Sequence, residues 1–336
     1  MSNPISHISH TSVSTYQDCP RLWWFKYVDR RPVAVSYYRP RGIAFHAALR
    51  YALTRKKMAG TLPPEQEVIR TFECTWEDEC KKALPDGRPA VTFDGRDPAE
   101  IVDETGEMLR AYLRGPAQDI DPVMVETRLE FNIADLPVPF VAYIDVVARG
   151  GLVIDHKTTS SNGWSQDKAD ADQQVDAYWL AYTMRFGRQP AEFRFNVVTP
   201  PKISEPAEVK RAREDKDREV LKLGDFYFVE LKSGSDNLKA LDLNNGSGYA
   251  WDAESRTITA PGGATLTIPF PRVKAIRCRY PSRVQSFATT RTTAQALWYL
   301  RSVIEVYKGI QAGAFPPRRS WKCGNCEYAG YCATMI

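Results

Sequence analysis

The sequence predicts a mixed α/β (α+β) architecture, a central sheet with helices packed against it. Three observations lead there. From Val123 to Thr158 the texture is β: three short segments rich in Val, Ile and aromatics, separated by turn residues. Before that run, apolar residues recur at helical spacing. After it, "DADQQVDAYWLAYTMRF" returns to helix and "EFRFNVVT" reads as another strand, the order of a sheet with helical connections.

Element by element, a first helix is expected over "HTSVSTYQDCPRLWWFKYV", capped by Ser12 or Ser14, with Leu22, Phe25 and Val28 at helical spacing. "RGIAFHAALRYALTRKKMAG" sets Ile43, Ala47, Leu49 and Ala52 in helical rhythm and stops at Gly60. Helices are also expected at 65–82 and 98–114. The strands are "MVETRLEFNI", "VPFVAYIDVVA" and "LVIDHKTT", then "EFRFNVVT" beyond the next helix. Residues 201–275 are the least legible. There "EPAEVKRAREDKDREVLKL" reads as a solvated helix, "DFYFVEL" follows, and the Gly/Asn/Ser-rich stretch Asn244–Gly248 is placed near a substrate path. A long helix is expected from Thr290 to Gln311, ahead of a cysteine-bearing end.

A chain of 336 residues, 43% hydrophobic, can bury a large core as one elaborated domain or two. "MSNPISHISH" has no apolar targeting region and no stretch approaches a bilayer span, so a cytoplasmic protein without a membrane partner is expected. The net charge of +4 is too mild to establish a nucleic-acid partner. The 7 cysteines are an odd number, which argues against a disulfide framework. Three of them crowd into "CGNCEYAGYC", as a metal or cluster would require.

The chemistry centres on "VIDHKTTS". Asp155 and Lys157 fall on one face of a half-buried strand, where unpaired charges cost several kcal/mol. In "VVARGGLVI" a three-residue loop, Arg149-Gly150-Gly151, sets residue 148 opposite 152 and Asp145 opposite Asp155. A two-residue Gly-Gly loop would instead turn Asp145 to the other face. Two carboxylates so close repel unless a divalent cation lies between them. Oxygen ligands suit Mg²⁺ or Mn²⁺, and a lysine beside that ion can orient water and offset charge on a phosphoryl group. Those are the parts of a phosphodiester hydrolase. The bland alternative is a solvated Asp155–Lys157 pair worth about 0–1 kcal/mol. "QVDAYWLAY" adds Gln174 and Tyr178 at i and i+4, and "GIAFHAALR" adds His46 in a helix; each alone is as readily a packed side chain.

In chain order, G-x-x-x-H-x-x-L, then D, then D-x-K, then Q-x-x-x-Y resemble the RecB-like branch of the PD-(D/E)XK nuclease superfamily, over most of the chain outside 201–275. The resemblance implies a restriction-endonuclease-like mixed central sheet flanked by helices. It implies His46, Asp145 and Asp155 as ligands of one or two Mg²⁺ or Mn²⁺ ions, with the backbone carbonyl of His156 in the same shell. Lys157 would be the catalytic lysine positioning the attacking water, and Gln174 and Tyr178 would shape the pocket and contact the DNA strand. Glu126 in "VETRLEF" matches an acidic position on the family's first strand. Two departures occur: Ala142 stands where Gly is common, and His156 where Tyr or Phe is. Neither removes a ligand, so activity is expected to survive both.

"CGNCEYAGYC" supplies C-x₂-C-x₅-C, one thiolate short of a tetrahedral Zn²⁺ or a [4Fe–4S] cluster. Here too the chain resembles the iron–sulfur RecB-like nucleases, including the CRISPR-associated exonucleases and the AddAB helicase-nuclease. They carry one cysteine before the core and three after it. That implies a [4Fe–4S] cluster on Cys19, Cys323, Cys326 and Cys332, joining the two termini, with zinc as the alternative. The implied organisation is a single nuclease domain, 1–336, with an iron–sulfur module at 11–30 plus 312–336, a core at 40–200, and an insertion of unclear role at 201–275. Cys74, Cys80 and Cys278 are expected to fill apolar sites. "CPRLWWFKYVDRR" and "FPPRRSWK" would then lie side by side. They would form a basic, aromatic entrance for unpaired bases, or else Trp23 and Trp24 would shield the cluster.

The implied function is a metal-dependent DNA exonuclease at single-stranded ends, in recombination, repair, phage DNA processing or CRISPR adaptation. The alternative is a non-catalytic DNA-binding or scaffolding subunit. No G-x-x-x-x-G-K-[ST] occurs, so any unwinding partner would be a separate chain.

Overall fold

The β-textured run forms three adjacent strands of a five-stranded sheet, from one edge to its centre. The computed structural model describes residues 5–134, 136–159, 164–215, 218–234, 238 and 248–334. They divide into two compact units, Met1–Pro200 with Arg283–Ile336, and Pro201–Ser282. Among the described residues no helix is long and apolar enough to cross a membrane.

In the first unit the helices include α1 (His10–Asp18), α2 (Pro20–Trp24), α3 (Tyr38–Ala59), α4 (Glu65–Cys80), α5 (Pro98–Arg114), α6 (Gln166–Ala171), α7 (Gln174–Phe186) and α8 (Thr293–Gln311). The sheet strands are β1 (Pro122–Phe131), β2 (Phe140–Ala148), β3 (Leu152–Thr158), β4 (Glu192–Thr199) and β5 (Arg283–Thr289), in the spatial order β5-β4-β3-β2-β1. β1, β2 and β3 form an antiparallel meander, β3 runs parallel to β4, and β5 returns antiparallel. The mixed sheet expected from the sequence is therefore present. Its middle strands are buried on both faces, so they read as nearly unbroken apolar runs. On β3, Val153 faces a core with Val175 and Tyr299, while Ile154 faces one with Phe45, Leu49 and Leu109.

The loop Arg149–Gly151 has three residues, and Ala148 pairs with Leu152 as expected. Both glycines take the left-handed conformation, with φ 81° and 86°. At Gly151 a Cβ would also meet the Tyr182 hydroxyl at 3.0 Å.

Three expectations fail locally. The first helix is capped by Ser9, not by Ser12 or Ser14, and it stops at Asp18 because Pro20 has no N–H to continue it. Ser12 is buried and accepts a hydrogen bond from Trp23 Nε1 at 2.8 Å. The helix predicted before Phe186 breaks at Asp172 into α6 and α7. In the second unit the charged segment is helical only over Ala207–Glu214, and Val220–Leu223 is a strand paired with Phe226–Glu230. The two-residue turn Gly224-Asp225, with Gly224 at φ 52°, was the overlooked hairpin signal. Residues 244–247 of the Gly/Asn/Ser-rich stretch lie outside the described residues.

Candidate active site

β2 and β3 separate where the chemistry begins. Their pairing runs Ala148↔Leu152, Val147↔Val153, Val146↔Ile154. At the next position Asp145 Oδ2 accepts the His156 backbone N–H at 2.8 Å. A carboxylate thus stands beside Asp155 on the neighbouring strand. On the other side of β2, Val125 pairs with Val146 and Thr127 with Ile144, so Glu126 falls opposite Asp145. That pair is missing from the ladder because Glu126 has φ 45°, a conformation costly for a residue with a Cβ.

α3 buries Ala44, Phe45, Ala48 and Leu49, and this leaves His46 at the edge of its buried face. His46 Nδ1 lies 3.4 Å from Asp145 Oδ2 and 3.7 Å from Glu126 Oε1. His46, Glu126 and Asp145 bring one ligand atom each within 4.8 Å of one another, the only such His/Cys/Asp/Glu group among the described residues. Asp155 is not in that group. It is the hub of a second cluster, in which its Oδ1 accepts from Gln174 Nε2 at 2.8 Å and from the Tyr178 hydroxyl at 3.2 Å. Lys157 Nζ lies 2.7 Å from Asp155 Oδ2 and donates to Gln174 Oε1 at 2.6 Å. The ammonium pairs with the buried Oδ2, which accepts no other hydrogen bond.

The charges are coupled. Burial and then Asp155 push Asp145 up to about 7. Burial works against a charged His46, yet Asp145, Glu126 and Asp155 together outweigh it and raise His46 to about 9. Burial likewise opposes the charge on Lys157, and the Asp155 carboxylate more than compensates, so the ammonium persists. The donor set of one imidazole and several carboxylate oxygens fits a hard divalent cation.

His156 turns its ring to the face of β3 opposite Asp155 and Lys157, 6.1 Å from the His46 ring, and there its Nδ1 lies 2.8 Å from the Tyr112 hydroxyl. Asn196 Nδ2 donates to that hydroxyl at 2.9 Å, and Ser286 Oγ donates to Asn196 Oδ1 at 2.7 Å. Burial, then His46 and Lys157, hold His156 well below the usual histidine range and so neutral. This relay fixes β3 beneath the site, and no local pattern marks Tyr112, Asn196 or Ser286 in the sequence. Tyr112→Phe is expected to cost about 1–3 kcal/mol by leaving buried polar groups unpaired. A fall in thermal midpoint checks it. Arg291, also missed, donates to Asp176 Oδ1 at 3.0 Å and to the Asp172 carbonyl at 2.8 Å, pinning the first turn of α7 that carries Gln174. Clefts of about 500 and 490 Å³ flank Arg291, lined in part by Asp170, Gln295 and Trp298 and by none of the acidic site residues on β1–β3.

The two ends of the chain meet. Cys19 Sγ accepts from the Arg318 N–H at 3.4 Å, Lys322 pairs with Asp18 at 2.7 Å, and Lys26 pairs with Glu327 at 2.9 Å. Phe25 stacks on Tyr328 with ring centroids 5.1 Å apart. Burial raises the Cys326 thiol, and Glu327, Cys19 and Cys323 add to that rise. Trp23 is fully buried and stacks on Phe315 and Tyr27, so it packs beside the cysteines and offers no face to a base. Trp321 is 83% exposed. Cys278 is buried and Cys80 partly so, but Cys74 is exposed, on the side of α4 away from Val68, Phe72 and Trp76.

The model of the PD-(D/E)XK nuclease superfamily matches residues 7–333. No curated protein matches the chain. Among solved structures, the chain is similar to a candidate exonuclease from Eubacterium rectale: 11% identity, 98% of this chain and 89% of that one covered, TM-score 0.41. It is also similar to SSO0001, at 11% identity, with 91% of this chain and 89% of that one covered and a TM-score of 0.32.

Proposed function

The chain belongs to the PD-(D/E)XK nuclease superfamily, and on that premise we propose that it is a metal-dependent DNA exonuclease acting at single-stranded ends. The observation that carries this reading is the meeting of two polar clusters at the parting of β2 and β3. His46, Glu126 and Asp145 stand beside Asp155, Lys157, Gln174 and Tyr178. His46, Glu126 and Asp145, with Asp155 adjacent, would hold Mg²⁺ or Mn²⁺. Such an ion, when bound, lowers the pKa of water and offsets charge on the phosphate. Lys157 orients the attacking water and donates to the phosphate as its charge grows. Gln174 holds Lys157 through its amide oxygen and Asp155 through its amide nitrogen, so the lysine keeps one direction. Tyr178 completes the pocket wall beside Asp155. His156 serves through its backbone: its N–H fixes Asp145, and its carbonyl would add an oxygen ligand for the cation.

Cys19, Cys323, Cys326 and Cys332 would hold a [4Fe–4S] cluster of the CRISPR-associated exonuclease or AddAB type. Residues 11–30 and 312–336 are then its module around a core at 40–200, with 201–275 inserted. Zinc on the same four thiolates is the alternative. Recombination, repair, phage DNA processing and CRISPR adaptation all supply single-stranded ends to such an enzyme. A purely DNA-binding or scaffolding role is disfavoured, since a retired site has no reason to hold Asp145, Asp155 and Lys157 together.

The test is incubation with Mg²⁺ or Mn²⁺ and single strands labelled at the 5′ or the 3′ end. Stepwise shortening from one end, stopped by a chelator, is expected; intact strands with both ions would refute the reading. Cation binding should also weaken as the pH falls. Asp145, raised to about 7, and His46, raised to about 9, must both lose protons to ligate. Both hold protons below neutrality, so Mn²⁺ affinity at pH 6 should be at least about tenfold below that at pH 8. Calorimetry in buffers of different ionisation enthalpy reads the released protons.

A further inference from the structure

The N-terminus of α3 carries charge against its own dipole. Helix N-termini hold partial positive charge and favour acids. Here the first turn is Tyr38-Arg39-Pro40-Arg41, without an acidic residue, and the N-cap Tyr37 contributes no side-chain acceptor. The N–H groups of Tyr37 and Arg41 bond to Thr92 O and Tyr37 O, while those of Tyr38 and Arg39 precede the helical ladder.

Arg41 is a second, independent oddity. It is 2% exposed, its Nε has no hydrogen-bond partner, and among the described residues it makes no ion pair. Its guanidinium lies 5.1 Å from the Tyr38 ring and 5.8 Å from the Tyr37 ring, at the start of the helix. Glu104, the acid whose charge reaches it, is engaged by Arg96 through two hydrogen bonds of 3.0 and 2.8 Å. A buried guanidinium without a carboxylate is costly. An oxyanion at this end would meet the first-turn N–H groups and the dipole, with the Arg41 charge buried behind them.

We infer that Arg41 and the first turn of α3 form a phosphate subsite for a nucleic-acid strand whose cleaved bond lies near His46 on the same helix. From Tyr38 to His46 is about 12 Å of helix, so the phosphate held would lie a few nucleotides from the cleaved one. The subsite rests on the reading of the chain as a DNA nuclease.

The test is fluorescence anisotropy of a labelled single-stranded oligonucleotide across a salt series, with divalent ions chelated. Arg41→Met should bind about tenfold more weakly. Its plot of log affinity against log salt should be shallower by about 0.7, the loss of one single-strand phosphate contact. Arg41→Lys should restore the slope. Wild-type affinity and slope in Arg41→Met would overturn the subsite. Should Arg41→Met fail to fold, the wild-type protein still decides the matter through oligonucleotides carrying one neutral methylphosphonate at successive positions. Weakened binding at one position a few nucleotides from the cut is expected, and uniform tolerance overturns the inference. If inorganic phosphate raises the wild-type thermal midpoint but not that of Arg41→Met, while both bind DNA with equal slopes, the site takes free phosphate and the strand assignment falls. Wild-type protein with no affinity for single strands even at low salt would instead remove the nuclease reading, and the subsite with it.

Discussion

Lys157→Ala is expected to lower the cleavage rate by at least about 10²–10³, the usual cost of removing one preorganised charge-stabilising donor. DNA binding should change little. Lys157 is 27% exposed at its side chain and bonds to Asp155 and Gln174, so its removal leaves the fold intact. Asp155 loses its counter-charge but keeps Gln174 and Tyr178 as donors. The effect should therefore appear in single-turnover rates and not in affinity, while the thermal midpoint falls because the buried Asp155 has lost its counter-charge. A variant that cuts labelled single strands at the wild-type rate would remove Lys157 from the chemistry.

Cys323→Ser should act on a different property. If the four cysteines ligate one cluster, the chain is cross-linked from end to end, and ligation is coupled to folding. The variant should lose the brown iron–sulfur absorbance, become less soluble, and unfold at least about 5 °C lower. The contacts that now join the ends include Lys322–Asp18, an exposed pair of the kind worth about 0–1 kcal/mol. They are too weak to replace a cluster. A colourless, stable, zinc-containing wild-type protein would instead favour the zinc alternative.

Much of the central sheet was legible because its signals are local. The three-residue loop at Gly150-Gly151 sets the register by length and glycine conformation, and with it the partnership of Asp145 and Asp155. The i, i+4 spacing puts Gln174 and Tyr178 on one face of α7, and both do reach Asp155. Where the reading failed, a competing local rule won. Pro20 ended the first helix, and Gly224-Asp225 turned an expected helix into a hairpin.

The sequence by itself determined which charged residues share a strand face and in what order they follow one another, because strand and helix periodicity depend only on neighbours in the chain. Only the tertiary structure decided which carboxylates surround His46. Glu126 stands with Asp145 there through its own strained backbone within β1, and Asp155 serves Lys157, Gln174 and Tyr178. It also decided the relay from Ser286 through Asn196 and Tyr112 to His156, and the burial of Arg41 beside two stacked tyrosine rings. These depend on contacts between residues far apart in the chain, whose partners are fixed by packing two layers of helices against one twisted sheet.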